Sequence, residues 1–163
     1  MSRPLVTGGR TYANRVFVFF TLADLHAHDP VECVIQGGAT GADQHAREWA
    51  GANSIPVETY PARWDDLDAP GARIRMNRRG EPYNAMAGPQ RNAEMLWASC
   101  PTHVIAFPGR RGTDDMVGKA EAAIRRGHAV RLVDLRGERR RRVGVIIPCF
   151  LEYPVNPRST PPQ

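Results

Sequence analysis

The stretch Phe107-Pro-Gly-Arg-Arg-Gly-Thr113 has the residue types of an anion-binding turn. A short apolar run, residues 103–107, precedes it, and an amphipathic segment begins near Asp114. That order is strand, glycine turn, helix. Such a turn presents backbone N–H groups at a helix N-terminus, where a phosphate or carboxylate is readily held. Pro108, Gly109, Arg110 and Gly112 belong to it. Thr113 is expected to cap the helix through its hydroxyl, and the same hydroxyl can donate to a phosphate oxygen. A second turn, Gln36-Gly-Gly-Ala-Thr-Gly-Ala-Asp43, follows residues 31–35. Gly37, Gly38 and Gly41 there allow close backbone approach to an anion. Two such turns point to a phosphorylated, nucleotide-like ligand, either cleaved or only held. Neither is an ATPase-type phosphate loop, since no Gly-Lys-Ser/Thr follows, and neither matches the dinucleotide fingerprint.

Other groups fit the same chemistry. Gly8 and Gly9 form a turn after the first strand, and Arg10 just beyond can clamp a phosphate bidentately. Tyr12 can stack on a base or simply pack. Arg91 and Asn92 open a helix before the fourth strand, and Arg91 is the best candidate for a cation in the crevice. Asp43 can accept from ribose hydroxyls. Asp114 and Asp115 suit a helix N-terminus but would repel a bound anion, so at least one must face away. Trp49 and Trp64 read as packing residues, with Trp64 bordering a long polar segment. His45 and His103 have no ligand-spaced partners, and Cys33, Cys100 and Cys149 are far apart, so neither metal nor cofactor is expected. Cys33 suits core packing.

The elements that position these residues alternate. Strands are expected at residues 5–7, 31–35, 57–60, 103–107 and 129–133, with an edge strand at 143–147. Helices are expected at 14–26, 42–52, 90–99 and 114–126. The last has Met116, Val117, Ala120 and Ile124 as its apolar face and Gly127 as its stop. Residues 65–88 interrupt the alternation as a small hairpin or a flap. The pattern is an α/β open parallel sheet with helices on both faces, in three layers. Ligands bind such sheets beyond the strands' carboxyl ends, where strand order reverses. The glycine turns all lie at such ends.

A chain of 163 residues, 42% of them hydrophobic, is enough for one domain over about residues 1–150 with a tail at 151–163. No apolar run reaches the roughly 18 residues that cross a membrane, so a cytoplasmic protein is expected. Part of the net charge of +5 sits in Arg136 and Arg139-Arg-Arg-Arg142. That block reads as a solvated loop, with a nucleic-acid patch as the alternative.

Five motifs in series carry a family likeness: Gly8-Gly-Arg-x-Tyr12, Gly37-Gly-Ala-x-Gly-Ala-Asp43 with Trp49-Ala50, Tyr60-Pro-Ala-x-Trp64, Ala87-Gly-Pro-x-Arg-Asn92 with Met95, and Phe107-Pro-Gly-x-x-Gly-Thr-x-x-Met116. Over residues 3–133 the chain resembles the YspA-like, YpsA-related branch of the SLOG superfamily. The resemblance implies a Rossmann-like domain that binds nucleotides or nucleotide-derived ligands, forms homo-oligomers, and occurs in phage genomes and conflict systems. Relatives include DNA-processing DprA proteins and the lonely guy phosphoribohydrolases. The latter carry Arg-Lys-x-x-Met and Pro-Gly-Gly-x-Gly-Thr-x-x-Glu. Arg91 falls on their catalytic arginine, whereas Asn92 replaces lysine, Arg110 replaces glycine and Met116 replaces the catalytic glutamate. Cleaving an N-glycosidic bond builds positive charge on the ribose carbon, which a carboxylate stabilises and methionine cannot. A substitute would have to be Asp43, Asp114, Asp115 or a flap residue such as Glu81, and Asp115, one position off on a helix, is not expected to reach the same spot as that glutamate. Binding or sensing is therefore the leading expectation. The alternatives are a nucleoside-phosphate hydrolase or transferase and a nucleic-acid-binding module.

Overall fold

The computed structural model describes residues 1–137. Arg139-Arg-Arg-Arg142, the edge strand expected at 143–147, Cys149 and the tail lie outside the described residues. In chain order the elements are β1 (Pro4–Thr7), α1 (Arg15–His28), β2 (Val34–Gln36), α2 (Ala42–Ala52), β3 (Val57–Thr59), β4 (Ile74–Met76), β5 (Pro82–Asn84), α3 (Ala87–Ala98), β6 (His103–Ala106), α4 (Arg111–Arg125) and β7 (Arg131–Asp134). Five strands form a parallel sheet in the order β3-β2-β1-β6-β7. Strand order reverses between β1 and β6, which pair from Pro4 with His103 to Thr7 with Ala106.

Alternation along the strands explains the three layers. Leu5, Ile35 and Val104 are neighbours across the register and pack on one face with Met95 and Leu96 of α3 and Met116 and Ala120 of α4. Val6, Val34 and Ile105 point to the other face, onto Val18, Leu22 and Leu25 of α1 and Ala46, Trp49 and Ala50 of α2. The two largest hydrophobic clusters are thus the two sides of one sheet. The α/β, Rossmann-like architecture expected from the sequence is the one observed.

Local chemistry sets the helix ends. Asn14 caps α1, its side chain accepting from the Phe17 N–H. Past α4, Gly127 takes φ +87°, its N–H donates to Ile124 O and the His128 N–H donates to Ala123 O. That pair of bonds is a Schellman stop. The apolar face of α4 differs from expectation at its end: Ala123 is buried and Ile124 is 41% exposed. Residues 65–88 contain an antiparallel hairpin, β4 with β5, in which Arg75 is opposite Tyr83. No helix among the described residues is long and apolar enough to cross a membrane.

Candidate functional site

A crevice of about 800 Å³ opens beyond the carboxyl ends of β1 and β6, at the reversal of strand order. Its floor is the two turns that leave those strands. They touch: the Gly9 N–H donates to Pro108 O at 2.9 Å, and a Cβ on Gly9 would meet that oxygen at 3.1 Å. A Cβ on Gly109 would lie 2.0 Å from Thr113 Oγ1 and 2.9 Å from the Gly9 nitrogen. Glycine at both places lets two backbones and a threonine side chain share one small volume.

The helix after the second of these turns starts earlier than the sequence suggests. Its N-cap is Arg110, and no side chain caps it. Thr113 is therefore inside the first turn and buried, its hydroxyl directed at Gly109 instead of capping. The Thr113 and Asp114 N–H groups both reach Arg110 O. Those of Arg111 and Gly112 have no acceptor within a helix that begins there. Both residues line the crevice, as do Arg10 and Arg110. Open N–H groups, the positive end of a 15-residue helix and the neighbouring Arg110 and Arg111 give this end of the crevice the electrostatics to hold an anion.

The turn after β2 is arranged otherwise. Asp43 Oδ2 accepts from the Gly37 N–H at 3.1 Å and the Ala39 N–H at 3.2 Å. The Gly38 N–H donates to the side-chain oxygen of Gln36. The Gly37 carbonyl accepts from Arg91 Nη1 at 2.5 Å. Gly41, at φ +74°, stands so near the first turn that a Cβ would lie 2.2 Å from Gly9 O. Gly37, Gly38 and Gly41 thus stand behind the crevice, shaping it without lining it. Asp43 does line it. Burial pushes its carboxyl up, against the two N–H donors and the positive charges of Arg91 and Arg10.

A polar chain crosses from this turn to α4. Arg91 donates to Gly37 O, to Tyr60 O at 3.1 Å and, through Nε, to Asn92 Oδ1 at 3.1 Å. Burial lowers the Arg91 pKa, yet a guanidinium keeps its proton in proteins. Asn92, 2% exposed, donates to Gly112 O at 3.0 Å and to Asp115 Oδ2 at 2.8 Å. Lys119 pairs with the other Asp115 oxygen at 2.5 Å. Asp115 lines the crevice, while Met116 is fully buried beneath α4, so the two neighbouring positions point to different places. Asp114 turns outward to Arg136 at 2.7 Å, and Glu81 accepts from Asn77 at the hairpin tip.

The remaining wall comes from Trp64, Ala85, Gly88 and Pro89. Trp64 reads as a packing residue in the sequence, but it faces the crevice and is 39% exposed. Only its place beside the polar segment signals this. Arg111 also lines the crevice, hidden in the sequence by its place between turn and helix. Tyr12 stacks on Phe107, centroids 5.6 Å apart at 30°. Among the described residues no group of three or more His, Cys, Asp or Glu side chains could hold a metal ion.

A parallel sheet with order reversal beneath two abutting glycine turns defines a Rossmann-like α/β ligand-binding protein. The profile described as YAcAr, the YspA, cpYpsA-related SLOG family, matches residues 3–66. The Gene 61 protein of Mycobacterium phage D29 is 35% identical over 132 residues, covering 76% of this chain and 91% of that protein. The chain belongs to the YspA, cpYpsA-related SLOG family, and with it to a superfamily of general nucleotide- or ligand-binding character. The fold is also that of DNA processing protein A (DprA) from Streptococcus pneumoniae, at 17% identity and a TM-score of 0.54 over 83% of this chain and 59% of that one. The structural-genomics protein TM1055 is similar at 16% identity and a TM-score of 0.51, over 80% of this chain and 77% of that one. This chain thus spans less than two thirds of the DprA chain.

Proposed function

We propose that the crevice binds or senses a nucleotide or nucleotide-derived ligand, with its phosphate at the first turn of α4. The observation that carries this is the uncapped helix start flanked by Arg110 and Arg111. Arg10 comes from the β1 turn, which abuts that end through Gly9 and Pro108. Gly8, Gly9, Pro108, Gly109, Gly112 and Thr113 keep the backbone low enough for a phosphate to approach the N–H groups. Met116 supports binding over cleavage, because its side chain is buried away from the crevice. Isothermal titration against nucleoside phosphates, ADP-ribose species and cyclic nucleotides tests the reading. Micromolar binding by at least one is expected, and none by any would overturn it.

One observation supports a second reading. Asp115 is a carboxylate in the crevice, oriented by Asn92 and Lys119. In a nucleoside-phosphate hydrolase or transferase, Asp115 would stabilise the developing ribose cation, with Arg91 on the phosphate side and Asp43 on the ribose hydroxyls. Incubation with the same compounds and chromatography of free base decides. Any activity that survives undiminished in Asp115→Asn rules out that assignment.

A further inference from the structure

Resting on the reading of the crevice as a nucleotide site, we infer that Trp64 is the platform on which the ligand's planar base stacks. The crevice is two-ended. Arg110, Arg111 and open N–H groups stand at the α4 end, Trp64, Ala85, Gly88 and Pro89 form a wall without an ionisable group of its own, and Arg10 runs from the β1 turn to the Trp64 ring. A ligand with an anion at one end and a flat apolar ring at the other matches both.

Trp64 is fixed in place without being enclosed. Its carbonyl accepts from the Asn84 N–H at 2.8 Å, which ties it to β5. The edge of its indole rests on α3, where a Cβ on Gly88 would stand 3.3 Å from Cη2. The Tyr83 ring tilts against it at 6.5 Å and 57°. Yet 39% of the residue stays exposed, whereas Trp49 in the core keeps 3%. Leaving aromatic surface in water is unfavourable, and a stacked ring removes that surface.

The Arg10 guanidinium lies over the Trp64 ring, 5.8 Å from its centroid, within cation–π range. A flat cation thus already occupies the space over one π face, from a residue whose own turn belongs to the phosphate end. Arriving base and phosphate would take both places, the base on the indole and the phosphate on Arg10. Tyr12 is the other aromatic side chain of the lining, and its ring is already stacked on Phe107.

The test compares ribose 5-phosphate with the four ribonucleoside 5′-monophosphates and ADP-ribose by isothermal titration. Base–aromatic stacking predicts that the best base-bearing compound binds about 5- to 150-fold tighter than ribose 5-phosphate. Trp64→Ala removes that gap, with ribose 5-phosphate still bound, while Trp64→Phe keeps most of it. Circular dichroism and the retained ribose 5-phosphate binding show that the variants are folded. Equal binding of ribose 5-phosphate and every base-bearing compound overturns the inference and leaves the phosphate reading standing. A gap that persists in Trp64→Ala also overturns it. No binding of any compound by the wild-type protein overturns the phosphate reading and this inference together.

Discussion

After β2 the chain reads Gln36-Gly-Gly-Ala-Thr-Gly-Ala-Asp43, and after β6 it reads Phe107-Pro-Gly-Arg-Arg-Gly-Thr113. Both run from a strand's carboxyl end into a helix N-terminus, and both are rich in glycine. In the first, the chain's own carboxylate fills the turn: Asp43 takes the Gly37 and Ala39 N–H groups. In the second, no side chain caps the helix, and its one first-turn acid, Asp114, is drawn outward by Arg136. The closed turn thus has its donors taken by the chain itself, whereas the open turn keeps the Arg111 and Gly112 N–H groups for the anion proposed there. The closed turn braces the open one through Gly41 against Gly9, and through Arg91 and Asn92 to Gly112.

The largest expected effect breaks the bracing. In Gly41→Ala the new Cβ meets Gly9 O at 2.2 Å in a backbone with φ +74°. Overpacking and left-handed strain together destabilise by about 4 kcal/mol. The urea midpoint should fall accordingly. Next comes Asp43→Ala, which empties the closed turn. Two N–H donors lose their acceptor at roughly 1–3 kcal/mol each, so a loss of about 3 kcal/mol is expected by chemical denaturation.

Asp43→Asn separates charge from geometry. Burial raises the folded-state pKa of Asp43, so the folded chain holds that proton more tightly than the unfolded chain does. Its contribution to stability is complete below the ordinary carboxylate value of about 3.9 and is lost as pH rises through the raised value. Urea midpoints measured upward from about pH 4 should show that decline in the wild type and not in Asp43→Asn.

At the open turn the effect falls on affinity. Arg110→Gln or Arg111→Gln should weaken phosphate-ester binding by about tenfold, the value of one charge-assisted hydrogen bond of roughly 1.4 kcal/mol. Calorimetry should show this with no fall in melting temperature. The smallest effect is expected at Gly112, where an added Cβ meets nothing within 4 Å. Gly112→Ala should stabilise slightly, by roughly 0.5–1 kcal/mol, through helix propensity alone. A loss of several kcal/mol there would mean that the open turn is packed as tightly as the closed one.

The parallel sheet and the place of the crevice are legible in the sequence, because apolar runs ending in glycine recur at 5–9, 34–38 and 104–109. The start of α4 is less so. Gly112 weakens the helical signal and Thr113 imitates a cap, yet Thr113 is needed against Gly109 and the helix begins at Arg111. The filling of the β2 turn is not legible either, since Asp43 suits a helix start whether or not its carboxylate folds back. Trp64 is ambiguous because its setting depends on where a separate hairpin lands. Its contact with Gly88 is a tertiary fact, as is the reach of Asn92 to Asp115.

The hydrogen bond from Gly9 to Pro108 has a consequence for how a ligand is chosen. It ties the two turns at the order reversal together, so a phosphate bound as proposed would meet donors that are already preorganised and little entropy would be lost in arranging them. The opposite wall is built from other elements: Trp64 is tied to β5 of the two-stranded ribbon and rests on Gly88 of α3. The two sides can therefore change separately. On the proposed reading, substitutions beside Trp64 retune which ring is accepted while the donors offered to the anion stay as they are.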